Sequence, residues 1–420
     1  MAVTESQVVA TELEKVEKKI EVLFERDPGF AGSIKKQNVS IVSSREMRAP
    51  LEIAPGGDFG YFNPDGGDLG RGSGPDWQKA VLSPVYMKLG IEYTKQAQWS
   101  TDDARKAVQN SVRYLTATAI TEFIRQLNSQ IQGNGSGTVA TVGTVTAGAG
   151  FDTVVCNSDG YGIRLLRPQQ FIQVFDSTLT TNRGTAQVMV NGWDVDGQSI
   201  QITPNITGIT AGDLLVTAGI STPTSLPGLY GVQYNNSNSS TGTWLGFSRS
   251  TTPQIRASRV NAGGSALSLP LARLAMNKVG NRIGENNRYR PKAWMHPAQK
   301  QAYEELGQLV QMIWKQPSEQ KLDLYFDGMQ MAGAPVKTDF NWNMKRIDFI
   351  PDGVWGWAET KSIGFYTTDG RKIFEIRGAS GGVAAAEVFY MVCGRQSYVK
   401  NPAAISYIDN LAIPPGYQAV

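Results

Sequence analysis

Residues 56–74 read GGDFGYFNPDGGDLGRGSG, and the segments on either side of this stretch decide how the chain folds. Eight glycines in nineteen positions suit a phosphate cradle, a calcium loop or the bend of a long arm, and each use demands different neighbours. A phosphate loop needs Gly-Lys-Ser/Thr opening a helix, so that backbone N–H groups and the lysine meet the anion. The piece GRGSGPDW has no lysine and no helix directly after it. The dinucleotide fingerprint fails on the same context. Asp58, Asp65 and Asp68 match neither the EF-hand spacing nor a Gly-Gly-x-Gly-x-Asp repeat. Before the stretch, Val39 and Ile41, then Met47, Leu51 and Ile53, alternate with polar or small residues. After it, Leu89, Ile91 and Tyr93 alternate with Lys88, Gly90, Glu92 and Thr94. Such alternation indicates half-buried strands. The glycines therefore sit at the far end of a two-stranded excursion, which is marginal in water and needs something to lie on.

Upstream, Val9, Leu13, Val16, Ile20 and Leu23 step by four and three residues among Glu and Lys, and Pro28-Gly29 stops the pattern. This is an amphipathic helix with a narrow apolar seam, able to dock on its own domain or on a neighbouring subunit. Downstream, Ser100 is an N-cap with Asp102 and Asp103 in the first turn. Ala104, Val108, Val112, Leu115, Ala119, Phe123, Leu127 and Ile131 form one stripe, and Gly133-Asn134-Gly135 ends the helix. A rod of roughly 48 Å is expected. From Ser136 to about Thr224 the composition turns to Thr, Gly, Val and Ile with almost no lysine. Strands are expected at Phe171–Phe175, Ala186–Val190, Ile200–Thr203 and Leu214–Thr217, giving a small β-barrel or sandwich. The last third mixes helices opened by Ser268-Leu269-Pro270 and by Pro297 with strands at 293–295, 334–338, 346–350, 364–367, 373–376 and 388–392. That mixture is α+β.

At 420 residues the chain can hold several domains, and 41% hydrophobic with 18% charged residues fits a folded protein. Forty basic against thirty-seven acidic residues give +3, without the basic excess of a sequence-independent nucleic-acid binder. The two cysteines, Cys156 and Cys393, lie far apart without metal-ligand spacing, which points to a reduced intracellular protein. The N-terminus lacks a signal-peptide pattern, and no apolar run approaches the ~20 residues of a bilayer helix. A soluble product, assembled in the cytoplasm and without a membrane partner, is expected. The single histidine, His296, precedes a helix-opening proline, where an imidazole caps free N–H groups or packs against Trp294. Cys393 reads as a small core residue. Asp194-Val195-Asp196-Gly197 reads as a hairpin turn rather than a calcium loop, since Thr203 stands where the bidentate glutamate belongs. No catalytic, metal or cofactor residue is expected, and no enzyme.

The order of parts resembles the major capsid protein of tailed bacteriophages, whose fold is shared with herpesvirus capsid floors and encapsulin shells. The residues that carry the resemblance are REMRAPLEI, GGDLGRGSGP and AVLSP for the hairpin, and STDDARKAVQNSVRYLTATAITEFIRQL for the helix. RPKAWMHPAQKQAYEEL, GAPVKTDFNWNMKRIDFIP and RQSYVKNPAA follow for the α+β domain. The resemblance implies an N-terminal arm (1–37), an extended loop with the start of a peripheral domain (38–96) and a spine helix (97–136). It further implies a return to the peripheral domain (225–262), an axial domain (263–400) and a C-terminal segment (401–420). Residues 137–224 depart from the simplest family pattern and read as an inserted β-rich domain. The function implied is a structural subunit that assembles as pentamers and hexamers into an icosahedral virion shell around double-stranded DNA, without sequence-specific DNA binding. A separate scaffolding protein, a portal and decoration proteins are the other partners implied. The alternatives are an encapsulin-like compartment and a carbohydrate-binding phage surface protein. The second finds few aromatics in the β-rich block beyond Trp193, Phe171 and Phe175.

The residues expected at subunit contacts are Leu13, Val16 and Ile20 in the arm, Phe59, Tyr61, Phe62, Leu69 and Arg71 in the glycine-rich tip, and Lys79 and Lys88 beyond it. Some family members join Lys and Asn between subunits, which needs a lysine amine neutralised by burial. Neither Lys79 nor Lys88 sits in an apolar run, so a non-covalent shell is expected.

Overall fold

A computed structural model of the chain describes residues 29–54, 56–57, 59–61, 71–94, 119–157, 159–194, 197–219, 228–284, 290–314, 330–377 and 383–417. The seam of Leu13, Val16 and Ile20, the tip residues Phe62 and Leu69, and the expected spine helix up to residue 118 lie outside them.

The core begins at Phe30. A single helical turn, Phe30–Ser33, drops this ring among Trp294, Trp342 and Trp355, whose centroids lie 5.1, 5.1 and 5.2 Å away at edge-to-face angles. The Phe30 amide donates to Asp339 (3.0 Å) and the Ala31 amide to Asn128 (3.1 Å), which itself donates to Asp339. Lys35–Lys36 then pairs in parallel with the strand Trp355–Phe365. The chain is therefore tied into the centre of the molecule from residue 30 onward.

Two sheets follow from two kinds of strand. Trp355–Phe365, Val383–Val399, Ile373–Arg377 and Val85–Thr94 build one sheet with the short Lys35–Lys36 strand. Along Val383–Val399, Phe389, Met391 and Cys393 alternate onto one face and are buried against Ala119, Ile120, Phe123 and Ile124 of the helix at 119–130. Phe123 is 4% exposed. The six-stranded second sheet runs in the order Ser258–Asn261, Ser406–Asp409, Ile347–Pro351, Pro291–Met295, Ala334–Thr338, Gln330–Met331. The helix Leu269–Ile283 packs Ala272 and Ala275 onto it, and Tyr303 of Pro297–Trp314 joins the same core. Sheets and helices thus mix as α+β. The strand expected at 364–367 is instead the end of Trp355–Phe365, because bulges between Glu359 and Gly364 break the two-residue period.

The β-rich block forms a closed barrel of Ser199–Thr203, Asp152–Cys156, Thr138–Ala147, Leu214–Thr217, Phe171–Phe175 and Asn182–Asp194. Its interior, with Val142, Val154, Ile172, Val174, Val188, Ile200, Ile202 and Leu215, is a hydrophobic cluster of its own. Two of its strands, Thr138–Ala147 and Asp152–Cys156, escape sequence reading because Thr, Gly and Ala blur their alternation. Entry and exit of the barrel touch: the Gly228 amide donates to the Gly135 carbonyl at 2.8 Å. A Cβ on Gly228 would stand 2.8 Å from the Gly137 nitrogen, so only glycine lets the two backbones meet.

Candidate subunit interface

The excursion differs from its expected pairing. Glu46–Ala54 pairs antiparallel with Asp76–Leu82, from Met47 opposite Leu82 to Ala54 opposite Asp76, and Ser40–Ser43 adds a third strand. Val85–Thr94, expected as the returning strand, pairs with Val383–Val399 in the main sheet instead. The reason is burial. Leu89 and Ile91 have the spine helix to lie on, whereas DWQKAVL offers only Ala80 and Leu82 to the core and so gives a faint strand signal.

Burial fades along this ribbon. At its base Met47, Ala49, Ala80 and Leu82 are enclosed by the central core, and the Val81 amide donates to the Leu245 carbonyl at 3.0 Å. The opposite face carries Arg48, Pro50 and Glu52 across from Val81, Lys79 and Trp77. It faces solvent there: Trp77 is 63% exposed, and Ile41 and Val42 stand out on the edge strand. Beyond the strands the ribbon continues, with the Gly57 amide donating to the Ser73 carbonyl (2.8 Å) and the Ser73 hydroxyl to the Gly57 carbonyl (3.1 Å). Gly56 turns there at φ +71, where a Cβ would lie 2.5 Å from the Pro75 nitrogen. Phe59 and Tyr61 follow at 92% and 100% exposure, their rings 6.2 Å apart.

The structure gathers Phe59, Tyr61, Arg71 and Lys79 on this one excursion, all exposed. Lys88 is also exposed but lies elsewhere, opposite Val392 on the main-sheet face turned away from the spine helix. Sequence reading missed Trp77 and Val81, whose alternation with Gln78 and Ala80 was the available signal.

The polar groups that could suggest chemistry are committed to structure. His296 Nδ1 accepts from the Ala298 amide at 3.0 Å, capping the helix that Pro297 opens. Burial first, and the Arg164 charge second, depress its pKa to about 3. Burial pushes the Cys156 thiol up to about 12 and the Cys393 thiol up to about 11, the reverse of an activated thiolate. Arg346 bonds Asp348 at 2.7 and 2.8 Å beneath the Tyr407 ring, and Asn236 donates to the same carboxylate at 3.0 Å. Among the described residues no group of three His, Cys, Asp or Glu is placed to hold a metal ion.

No protein-family model matches the sequence, and no curated protein matches it. Solved structures do. The likeness is to capsid and shell subunits. The capsid asymmetric unit of cyanophage A-1(L) is 13% identical with a TM-score of 0.49, over 90% of this chain and 90% of that one. The capsid of a native GTA particle is 10% identical with a TM-score of 0.44, over 92% and 90%. The SrpI encapsulin of Synechococcus elongatus is 8% identical with a TM-score of 0.36, over 81% and 79%.

Proposed function

We propose that this chain is the repeating structural subunit of a closed protein shell, a major capsid protein of the tailed-phage kind. The single observation that carries the reading is the excursion: a ribbon anchored by a buried base whose far half displays Trp77, Phe59 and Tyr61 to solvent. Each such ring can bury on the order of 150–250 Å², and no part of the described chain covers them. A neighbouring subunit does. A contact between an arm on one copy and the body of the next is heterologous, and heterologous contacts close into rings, here pentamers and hexamers. The chain acts as a wall without catalysis, located in the virion, assembled in the host cytoplasm and enclosing double-stranded DNA. A scaffolding protein, a portal and decoration proteins complete the particle.

The arm before residue 29 and the excursion both serve subunit contacts, and the barrel is an inserted module on the shell's outer side. An encapsulin-like compartment is the second reading, since the same excursion serves either container. Electron microscopy of the purified protein tests the proposal: closed particles are expected, and persistent monomers at high concentration reject it. Particles loaded with an enzyme rather than DNA in their native source select the second reading.

A further inference from the structure

A cavity of about 330 Å³ opens beside the last turns of the helix Leu269–Ile283, between the edge strand Ser258–Asn261 and the turn at Pro253–Ile255. Arg256, Arg259, Lys278 and Arg282 line it, and no acidic residue does. Lys278 and Arg282 are four apart and share one helix face. Their heads are held rather than waving. Lys278 Nζ donates to the Arg259 carbonyl at 2.7 Å, and Arg282 donates to the carbonyls of Arg256 and Pro253 at 2.6 and 2.8 Å. Arg256 is fixed through Nε on the Arg249 carbonyl at 2.6 Å. One carboxylate bonds to these four among the described residues: Asp409 accepts from Arg259 Nε at 2.8 and 2.9 Å.

A helix C-terminus calls for a cation, and Arg282 meets that need. Four cations around one carboxylate exceed it. Carbonyls consume only some of the N–H groups, so these cavity-lining side chains keep donors for a ligand. Partial burial first, and the Arg256 charge second, hold the Arg282 guanidinium below its ordinary pKa. An anion among the four cations relieves their mutual repulsion. Guanidinium forks match tetrahedral oxyanions in particular. We propose that this cavity is a phosphate-binding site, taking a phosphate group carried on a nucleic-acid backbone or free in solution. The near-neutral total of +3 excludes a basic surface overall, not one pocket. The proposal does not depend on the shell reading.

The test uses the full chain in phosphate-free buffer. Calorimetry with inorganic phosphate, and anisotropy with a short labelled duplex DNA over a range of salt, separate the two sources. Lys278→Gln is the primary variant, because its side chain holds a single carbonyl. The double variant Arg256→Gln/Arg282→Gln is read only if its melting temperature shows it folded. If the source is nucleic acid, inorganic phosphate competes with the duplex, and Lys278→Gln lowers the salt slope of duplex binding by about 1. If the source is the free anion, phosphate binds at one site per chain and loses affinity in Lys278→Gln, while the duplex does not bind. Absence of binding by both ligands overturns the proposal. So does binding that Lys278→Gln leaves unchanged.

Discussion

Phe123 and Asp348 show how differently two fully enclosed side chains hold this molecule. Phe123 fills the space between the spine helix and the main sheet, so Phe123→Ala removes apolar area and leaves a cavity. A loss of about 3–5 kcal/mol is expected in denaturant unfolding of the subunit. Asp348 is the carboxylate of a buried ion pair, and Asp348→Asn leaves the Arg346 guanidinium charged with no counter-charge. The cost expected is about 3–5 kcal/mol as well, but for the stranded charge rather than a void. His296 makes a third kind of contribution, one that depends on pH. Its pKa is about 3 in the folded chain against 6.5 for the free side chain, so the unfolded chain binds the extra proton between those values. Stability from this residue is therefore present above pH 6.5 and lost progressively as the pH falls towards 3. His296→Asn keeps an acceptor for the Ala298 amide but cannot titrate, and its unfolding curve is expected to flatten over that interval relative to the native chain. Equal pH dependence in both would remove His296 from the account.

Among elements, the excursion and the barrel make opposite demands. Trp77 is 63% exposed and its cross-strand neighbour is Glu52, so Trp77→Lys is expected to shift subunit stability by no more than about 0.5 kcal/mol. The same change places a charge in the subunit contact, and particle yield on a sizing column or by microscopy is expected to collapse. Normal shells from Trp77→Lys would take this face out of the interface. The barrel carries its own core, and its entry and exit strands meet at Gly135 and Gly228. Residues 137–224 expressed alone are therefore expected to give the circular dichroism of a folded β domain. An unfolded spectrum would mean that contacts such as the Ser129 hydroxyl on the Leu165 carbonyl (2.8 Å) and Arg164 on the Phe340 carbonyl (2.9 Å) are essential to it.

For the whole molecule, the N-terminal truncation has a sharp boundary. Cutting after residue 28 leaves Phe30 in its cage of three tryptophans, whereas cutting after 30 empties that cage and is expected to unfold the subunit. The shorter deletion is expected to leave a folded monomer that assembles poorly, a difference that melting curves and microscopy read separately. Lys79 and Lys88 are exposed on different sheets, neither of them enclosed. Particles boiled in denaturant are expected to run as single chains of 45.6 kDa. A ladder of covalent oligomers would contradict this and point first to those two lysines.

Where one physical pattern dominates locally, the sequence alone was enough. The stripe through Ala119, Phe123, Leu127 and Ile131 is buried along its described length, and the Trp294 strand runs into a helix capped by His296. The strands Phe171–Phe175 and Leu214–Thr217 stand where alternation and turns put them. A helix face and a half-buried strand are written in the order of neighbouring residues, so short-range pattern suffices. What the tertiary structure decided is partnership. Val85–Thr94 and Asp76–Leu82 both follow the glycine-rich tip, and only the presence of the spine helix sends the first to the main sheet and leaves the second in the ribbon. The exposure of Trp77, the burial of Phe30 and the meeting of Arg256 with Arg282 likewise depend on residues distant in the chain. Non-local contacts carry no periodic signature in a single sequence, because what they bury is chosen by the fold that closes around them.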